Sequence, residues 1–292
     1  MTRTAATPDA GTGAFMTDVQ TLGIIAGGGQ FPLLIAREAA ARGMRVVICG
    51  IKGSADPALE SECAVFRLMP VGQFNAIVRF LKDAGVTDLC MAGSLSKPRL
   101  MDFKPDLRAA KVIFSLKSKG DSSLLGVVVS ELEKDGFRVQ AANRLLPSLA
   151  APAGVLTRPP VSDAVRSSVK YGWPIARSMG AYDIGQCIVV KENMVIAVEC
   201  LEGTDKTLRR GAELGGKGCV AIKLVKPGQD ERVDLPAVGL NTIKTLAECG
   251  YSALAIEAGK TLFFDSEEAL RLAESSGIAV IAVSEAAGGP EF

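Results

Sequence analysis

Histidine does not occur anywhere in the 292 residues. That absence excludes a Ser–His–Asp triad, a Cys–His dyad and a histidine-ligated zinc. Acid–base work must fall to Asp, Glu, Lys, Tyr or bound water, and a hard metal held by carboxylates stays open. A surplus of one charge is lacking as well: 33 basic residues face 32 acidic ones, for a net charge of +1. A nucleic-acid binder needs a basic surplus or stripe, and no arginine-rich or aromatic-interleaved segment occurs, so nucleic acid is excluded as a partner. The seven cysteines, Cys49, Cys63, Cys90, Cys187, Cys200, Cys219 and Cys249, include no C-x-x-C. Neither a zinc knuckle nor a disulfide framework is indicated. Most of them fall in apolar runs such as Val46–Ile51 and read as small buried hydrophobes. An odd number of free thiols fits a reducing, cytoplasmic compartment. No apolar run approaches the ~18 residues of a membrane span. Residues 1–18, small and polar, read as a disordered extension rather than a signal peptide.

What is present is material for a core. Hydrophobic residues make up 48% and charged residues 22%, the balance of a globular chain with one large or two ordinary domains. In the N-terminal half, apolar strand-like runs at Thr21–Ala26, Arg45–Ile51, Cys63–Leu68, Asp88–Ala92 and Phe137–Ala142 alternate with helical spacing at Leu33–Arg42, Phe74–Asp83, Leu107–Lys117 and Ser122–Asp135. That alternation predicts an α/β domain with a doubly wound parallel sheet over 19–150. The Pro-rich stretch 151–160 reads as a linker. A second domain, 161–292, has a mixed α/β (α+β) rhythm. Ser162 caps a helix carrying Val165, Val169 and Trp173, which Pro174 bends or interrupts. Glu192-Asn193 joins Gln186–Lys191 to Met194–Glu199 as a hairpin. Asp205 caps a helix over Lys206–Leu214, and Cys219–Val225 is a further strand. Gly259-Lys260 joins Ala253–Glu257 to Thr261–Phe264 as a second hairpin, before a last helix and strand.

Five segments carry candidate chemistry. Gly27-Gly28-Gly29-Gln30, between a strand and a helix, would let backbone N–H groups approach a phosphate. The plain alternative is a turn needed only for packing. Pro32 replaces the third glycine of the dinucleotide fingerprint, and no acid follows the second strand at Gly50-Ile51, which counts against a nicotinamide oxidoreductase. In the loop after the Asp88–Ala92 strand, Lys97 or Arg99 could meet an anion, although the motif alone reads better as a solvated loop. Asp121, after Lys119-Gly120, most simply caps a helix. Glu199-Cys200-Leu201-Glu202-Gly203-Thr204-Asp205, followed by Arg209-Arg210, places acids at a strand end where they could hold Mg²⁺, with arginines to clamp phosphate. Alternatively these residues are a helix cap and its solvated face. Finally, Lys226-Pro-Gly-Gln-Asp230-Glu-Arg232-Val-Asp234-Leu-Pro236 alternates so that Asp230, Arg232 and Asp234 would share one side of an extended segment. It could equally be a polar hairpin tip.

Leu22–Pro32, Lys119-Gly-Asp, Gly185-Gln186, Glu199–Asp205 and Lys226–Pro236, in this order, resemble the LpxI family, and the likeness runs from about residue 20 to the C-terminus. That family comprises the UDP-2,3-diacylglucosamine pyrophosphatases of lipid A biosynthesis. The resemblance implies a Rossmann-like N-terminal domain, a catalytic C-terminal domain, and substrate held between them. It implies a hydrolase acting on a phosphoric anhydride, with Mg²⁺, giving UMP and 2,3-diacylglucosamine 1-phosphate. It carries an essential aspartate onto Asp234 first and Asp230 second. Asp230, Glu202 and Asp205 would join Asp234 around the metal, and Lys226, Arg209 and Arg232 would balance phosphate charge. Substrate contacts are expected from Gly27, Gly28, Gly29, Gln30, Lys97, Asp121, Gln186, Thr204, Arg209 and Arg210. Ser94 and Ser96 stand where relatives often carry more basic residues, which weakens the case for phosphate contacts by that loop. The acyl chains would need an apolar groove or the inner membrane surface, and a homodimer stays open. The rival from another class is a non-catalytic nucleotide-sugar or lipid-binding protein.

Overall fold

The computed structural model describes residues 19–94, 105–111, 124–182, 184–228, 230, 232, 235–286 and 289–292. In the N-terminal part, strands β1 (Thr21–Ala26), β2 (Arg45–Ile51), β3 (Val65–Met69), β4 (Asp88–Ala92) and β5 (Arg138–Val139) form one sheet in the order β3-β2-β1-β4-β5. Every pairing is parallel, the expected doubly wound arrangement. Residues alternate between the two faces. Ile48 packs with Ile24, Ile35 and Ala39 on the face of helix α1 (Phe31–Ala41). Its neighbours Val47 and Cys49 pack with Ile77, Leu81, Val129 and Leu132 on the other face. That face is covered by α2 (Phe74–Asp83) and α3 (Leu124–Lys134). Each of the Val, Ile and Leu side chains contributes about 1.5–3 kcal/mol by leaving water. The short β5 is fixed beside β4 by a forked ion pair. Arg138 Nε and Nη2 donate to the two oxygens of buried Asp88 at 3.0 and 2.7 Å, and Gln140 adds a third bond at 2.8 Å.

The stretch 151–160 is tied into the second sheet. It carries β6 (Gly154–Val155), which pairs antiparallel with the last long strand. Ser162 caps the next helix through Val165 N–H, as expected. That helix, α4 (Asp163–Ala181), continues through Pro174, so of the expected bend or interruption the interruption does not occur. The lost hydrogen bond is outweighed by packing on both sides of the proline, where Trp173, Ala176 and Gly180 are buried.

The second sheet takes β7 (Cys187–Lys191), β8 (Met194–Val198), β9 (Val220–Lys223), β11 (Ala253–Glu257), β13 (Ala279–Ala286) and β14 (Gly289–Glu291), in the order β14-β13-β11-β9-β7-β8. The β7–β8 hairpin forms as expected, with Glu192 and Asn193 both at positive φ. The second expected hairpin does not form. β11 is flanked in parallel by β9 and β13, so no edge is left for its sequence neighbour. Strand β12 (Leu262–Phe263) pairs instead with β10 (Ala237–Val238) in a separate parallel ribbon. Helices α5 (Thr204–Gly215), α6 (Leu240–Glu248) and α7 (Ser266–Ser275) cover one face of the large sheet, and α4 covers the other.

The two parts share apolar contact. Val225, Leu235, Leu262 and Phe264 belong to the same buried cluster as Ile35, Leu146 and Leu149. The rings of Phe31 and Phe264 meet edge-on with centroids 5.5 Å apart.

Candidate active site

Strands β9 and β11 end, β7 begins and β8 ends along one edge of the second sheet. Ligands of α/β proteins gather beyond the carboxyl ends of the parallel strands. Three acidic or basic residues are buried here, Glu199, Lys223 and Glu257, each under 8% exposed. A buried charge needs partners, and each has them. Glu199 accepts from Thr204 Oγ1 at 2.9 Å and from Gln186 N at 3.4 Å. Lys223 Nζ donates to Ala237 O at 2.9 Å. Glu257 pairs with Arg177 and Lys260, each at 3.2 Å. Between Glu199 and Lys223 lies Cys187, whose thiol is pushed up to about 12, chiefly by burial and further by the charges of Glu199 and Asp205, while Lys223 opposes them.

The Glu199–Asp205 segment folds back on itself. Glu202 accepts from Arg210 Nη2 at 2.5 Å, from Thr207 Oγ1 at 3.3 Å and from Cys200 N at 3.2 Å. The Arg210 guanidinium holds the Glu202 carboxyl below the usual range. Arg210 also donates to Val198 O at 2.8 Å, so it clips β8 to α5. Asp205 does not cap α5. Gly203 occupies the cap position, and Asp205 lies in the first turn, where its charge faces the positive end of the helix dipole. Arg209 pairs with Glu248 at 2.9 Å on the surface. Glu202, Lys206, Arg209, Arg210 and Glu213 line an open depression of about 380 Å³.

The Lys226–Pro236 segment is not extended where it is described. Asp230 Oδ1 accepts from Arg232 N at 3.0 Å, a side-chain-closed turn. Both Asp230 oxygens also receive the guanidinium: Nε at 2.9 and 3.2 Å, Nη2 at 2.7 Å. The pair meets because the chain turns, not because alternate residues of a strand share a face. Arg232 beside it holds the Asp230 carboxyl well below its ordinary range, and the Arg232 pKa is raised in turn. Arg232 Nη1 reaches further, to Glu133 of α3 at 2.7 Å, and so ties this loop to the N-terminal sheet's helix layer. Asp234, Lys97 and Asp121 lie outside the described residues.

The glycine turn has a packing reason. Gly27 N donates to Ala92 O and Gly28 N to Ser94 O, both at 2.7 Å, and Ser94 N returns a bond to Gly28 O at 3.0 Å. A Cβ on Gly27 would stand 2.4 Å from Ser94 O. The turn therefore lies flat on the loop after β4, where the strand order of the sheet reverses. Those two amides are taken up and do not point at an anion. Gly29 faces open space, and Gln30 Oε1 accepts from Asn241 Nδ2 at 3.3 Å across to the second domain. Among the described residues, Glu202, Asp205 and Asp230 do not gather into a group that could hold a metal ion.

The models for the LpxI N-terminal domain and the LpxI C-terminal domain match residues 21–149 and 152–281. The UDP-2,3-diacylglucosamine pyrophosphatase LpxI of Caulobacter vibrioides is 35% identical over 276 residues, which cover 91% of this chain and 98% of that protein. The chain belongs to the LpxI family. Within this LpxI-family chain, sequence reasoning singled out the acid-rich segments but missed Arg177 and Glu257. Arg177 reads as one basic residue on a helix, and Glu257 as the end of an apolar run. Only the fold shows that they meet.

One thiol at this edge is open to reagents. Cys200 is exposed in the Glu199–Asp205 segment, whereas Cys49, Cys90, Cys187 and Cys219 are buried. Burial pushes the first three up to about 12, which suppresses the reactive thiolate. Titration of the folded protein with a chromogenic disulfide should show one fast-reacting thiol. Cys200→Ser should remove that fast phase, and its persistence would contradict the placement.

Proposed function

We propose that the protein hydrolyses the pyrophosphate bond of UDP-2,3-diacylglucosamine to UMP and 2,3-diacylglucosamine 1-phosphate, a step of lipid A biosynthesis. The observation that carries this reading is the LpxI likeness, which runs through both domains and 91% of the chain. The chemistry agrees with the composition. Hydrolysing a pyrophosphate asks for charge neutralisation and an aligned water more than for a covalent nucleophile, and a chain without histidine can meet that with a carboxylate. Asp234 takes that role, as the group that orients water or ligates metal.

Mg²⁺ belongs to the proposal as the ion that neutralises the phosphates. The described acids fit it poorly, since Glu202 is engaged by Arg210 and Asp230 by Arg232. Asp234 is the candidate ligand, with Asp205, exposed in the first turn of α5, as the other acid that no ion pair among the described residues engages. The remaining assignments concern this chain's own groups. Arg232 and Asp230 staple the loop that carries Asp234, and Thr204 and Gln186 hold buried Glu199 at the sheet edge. Lys226 brings positive charge at the start of the loop.

The acyl chains need apolar surface. Pro174, Ile175, Met179 and Tyr182 line an open depression of about 310 Å³ on α4. Past it the chain leads through exposed Ile184 to Gly185, which lies against Glu199. Leu201 is fully exposed in the acid segment itself. No helix among the described residues is long and apolar enough to cross a membrane. A cytoplasmic protein touching the inner membrane surface peripherally would suit a lipid-linked substrate.

The test is UMP release from UDP-2,3-diacylglucosamine with Mg²⁺ and with EDTA. Release that needs the metal is expected. A folded protein that binds the substrate and releases no UMP would transfer the case to the non-catalytic binder.

A further inference from the structure

Val225 is the residue at which β9 has ended and the Lys226–Pro236 loop begins. Its N–H donates to Glu257 Oε2 at 3.2 Å, and its carbonyl accepts from Arg177 Nη1 at 3.2 Å. Arg177 Nη1 and Glu257 Oε2 in turn pair with each other at 3.2 Å. Two side chains from different elements, α4 and β11, thus close around one residue of the backbone. The set is anchored outward: Arg177 Nη2 donates to Glu285 of β13 at 2.6 Å, and Lys260 pairs with the second oxygen of Glu257. One helical turn beyond Arg177, Gly180 lets the same loop lie against α4. A Cβ there would come within 2.9 Å of Pro227 Cδ and 3.2 Å of Lys226 Cα.

Sheet formation does not require this clamp. Val225 is past the last ladder residue of β9, Lys223, and β11 is already paired on both sides. Nor does stability account for it, because a buried ion pair rarely contributes more than a well-packed apolar pair of the same volume. What the clamp does fix is the direction in which the loop leaves the sheet. The hydrogen bonds act on both polar groups of one residue, so the residue can neither rotate nor slide. Charged donors and acceptors make such bonds about twice as strong as neutral ones.

We infer that Arg177 and Glu257 are positioning residues that set the course on which the chain leaves Val225 for the Lys226–Pro236 loop, and through that loop serve the hydrolysis proposed above. Neither is assigned a contact with substrate. The inference rests on the hydrolase reading for its consequence and on the geometry alone for its placement.

Arg177→Lys keeps the charge but gives up the fork, since a single nitrogen replaces the two that reach Val225 O with Glu257 and, separately, Glu285. Gly180→Ala disturbs the same loop segment without touching any charge, and so covers the case in which the charge variant does not fold. For each variant two quantities are read: backbone amide exchange in the peptide spanning residues 224–236, and kcat with KM for UMP release. Both variants should accelerate exchange in that peptide and leave exchange in β9 and β11 at the wild-type rate. Both should lower kcat by about ten- to a hundredfold, the scale of an ångström of misplacement, with KM within about twofold. Glu257→Gln retains an acceptor for Val225 N–H and should therefore lose less than Glu257→Ala. Unchanged exchange in the loop peptide would overturn the clamp. Faster exchange with wild-type kcat would overturn its role in turnover. If the wild-type protein itself releases no UMP, the hydrolase reading fails separately, and the exchange measurement still decides whether these two side chains hold the loop.

Discussion

Asp234→Asn is expected to reduce UMP release by about a thousandfold, the middle of the range for loss of a positioned acid–base group, and to leave the thermal midpoint within about 2 °C of wild type. A thousandfold is about 4 kcal/mol of barrier. The resemblance places Asp234 ahead of Asp230, and the engagement of Asp230 is a second reason to expect the larger effect at Asp234. Asp230 has both oxygens filled by Arg232 and closes a turn on Arg232 N. A carboxylate so occupied would have to break its own turn before it could orient water. Its described bonds, all to Arg232, fit a part in shaping the loop. Asp230→Asn keeps an acceptor for the turn and should cost about tenfold or less, since a side-chain amide can close the same turn.

The sign of the pH dependence follows from the same pair. Arg232 depresses the Asp230 pKa in the folded protein. The stability from the pair is therefore fully present above the ordinary carboxylate value of about 3.9, and is lost as pH falls through the lower folded value. Asp230 stays ionised across the neutral range. Initial rates of UMP release and thermal unfolding of the two variants, measured side by side, check the assignment. Equal loss in Asp230→Asn and Asp234→Asn, both folded, would remove the distinction.

The legible parts of the fold are those in which local pattern and final environment agree. Thr21–Ala26, Arg45–Ile51 and Asp88–Ala92 became strands with the expected bounds. Each is an apolar run buried in a parallel sheet and bounded by turn residues, a pattern that needs no knowledge of partners. Helix Phe74–Asp83 likewise announces one apolar face. Partner choice is a different matter. Gly259-Lys260 between two apolar runs is a sound local hairpin signal, yet β11 is enclosed by β9 and β13 from elsewhere in the chain.

The site divides in the same way. Its acid-rich segments stand out because acids at strand ends are uncommon and close together in sequence. The Arg177–Glu257 pair joins residues 80 positions apart and leaves no one-dimensional trace. The glycine turn lies between these cases. Its pattern is visible, but the pattern could not say whether the missing side chains make room for a phosphate or for Ser94 O, and for Gly27 it is the carbonyl.

A second glycine should give the largest loss of stability. In Gly185→Ala the new Cβ would stand 2.0 Å from Glu199 O, 2.8 Å from Glu199 C and 3.2 Å from Glu199 Cβ. Two of these are backbone atoms at the end of the β7–β8 hairpin, so no side-chain rotation relieves the clash. Gly185 is not among the residues with positive φ; close approach is what demands glycine. Relief requires the corner at Gly185-Gln186 to move away from Glu199. Gln186 N would then leave the Glu199 carboxylate, which would keep Thr204 but lose a donor at a buried site. Overpacking alone costs about 1–3 kcal/mol, occasionally more, and the weakened carboxylate adds to it. At about 2–4 °C per kcal/mol for a chain of this size, the thermal midpoint should fall by about 5–15 °C. UMP release should fall with it even below the new midpoint, because the corner that shifts is the one that places Gln186 and Glu199. A Gly185→Ala protein that melts within about 1 °C of wild type would mean that the corner and the acid segment do not touch as described.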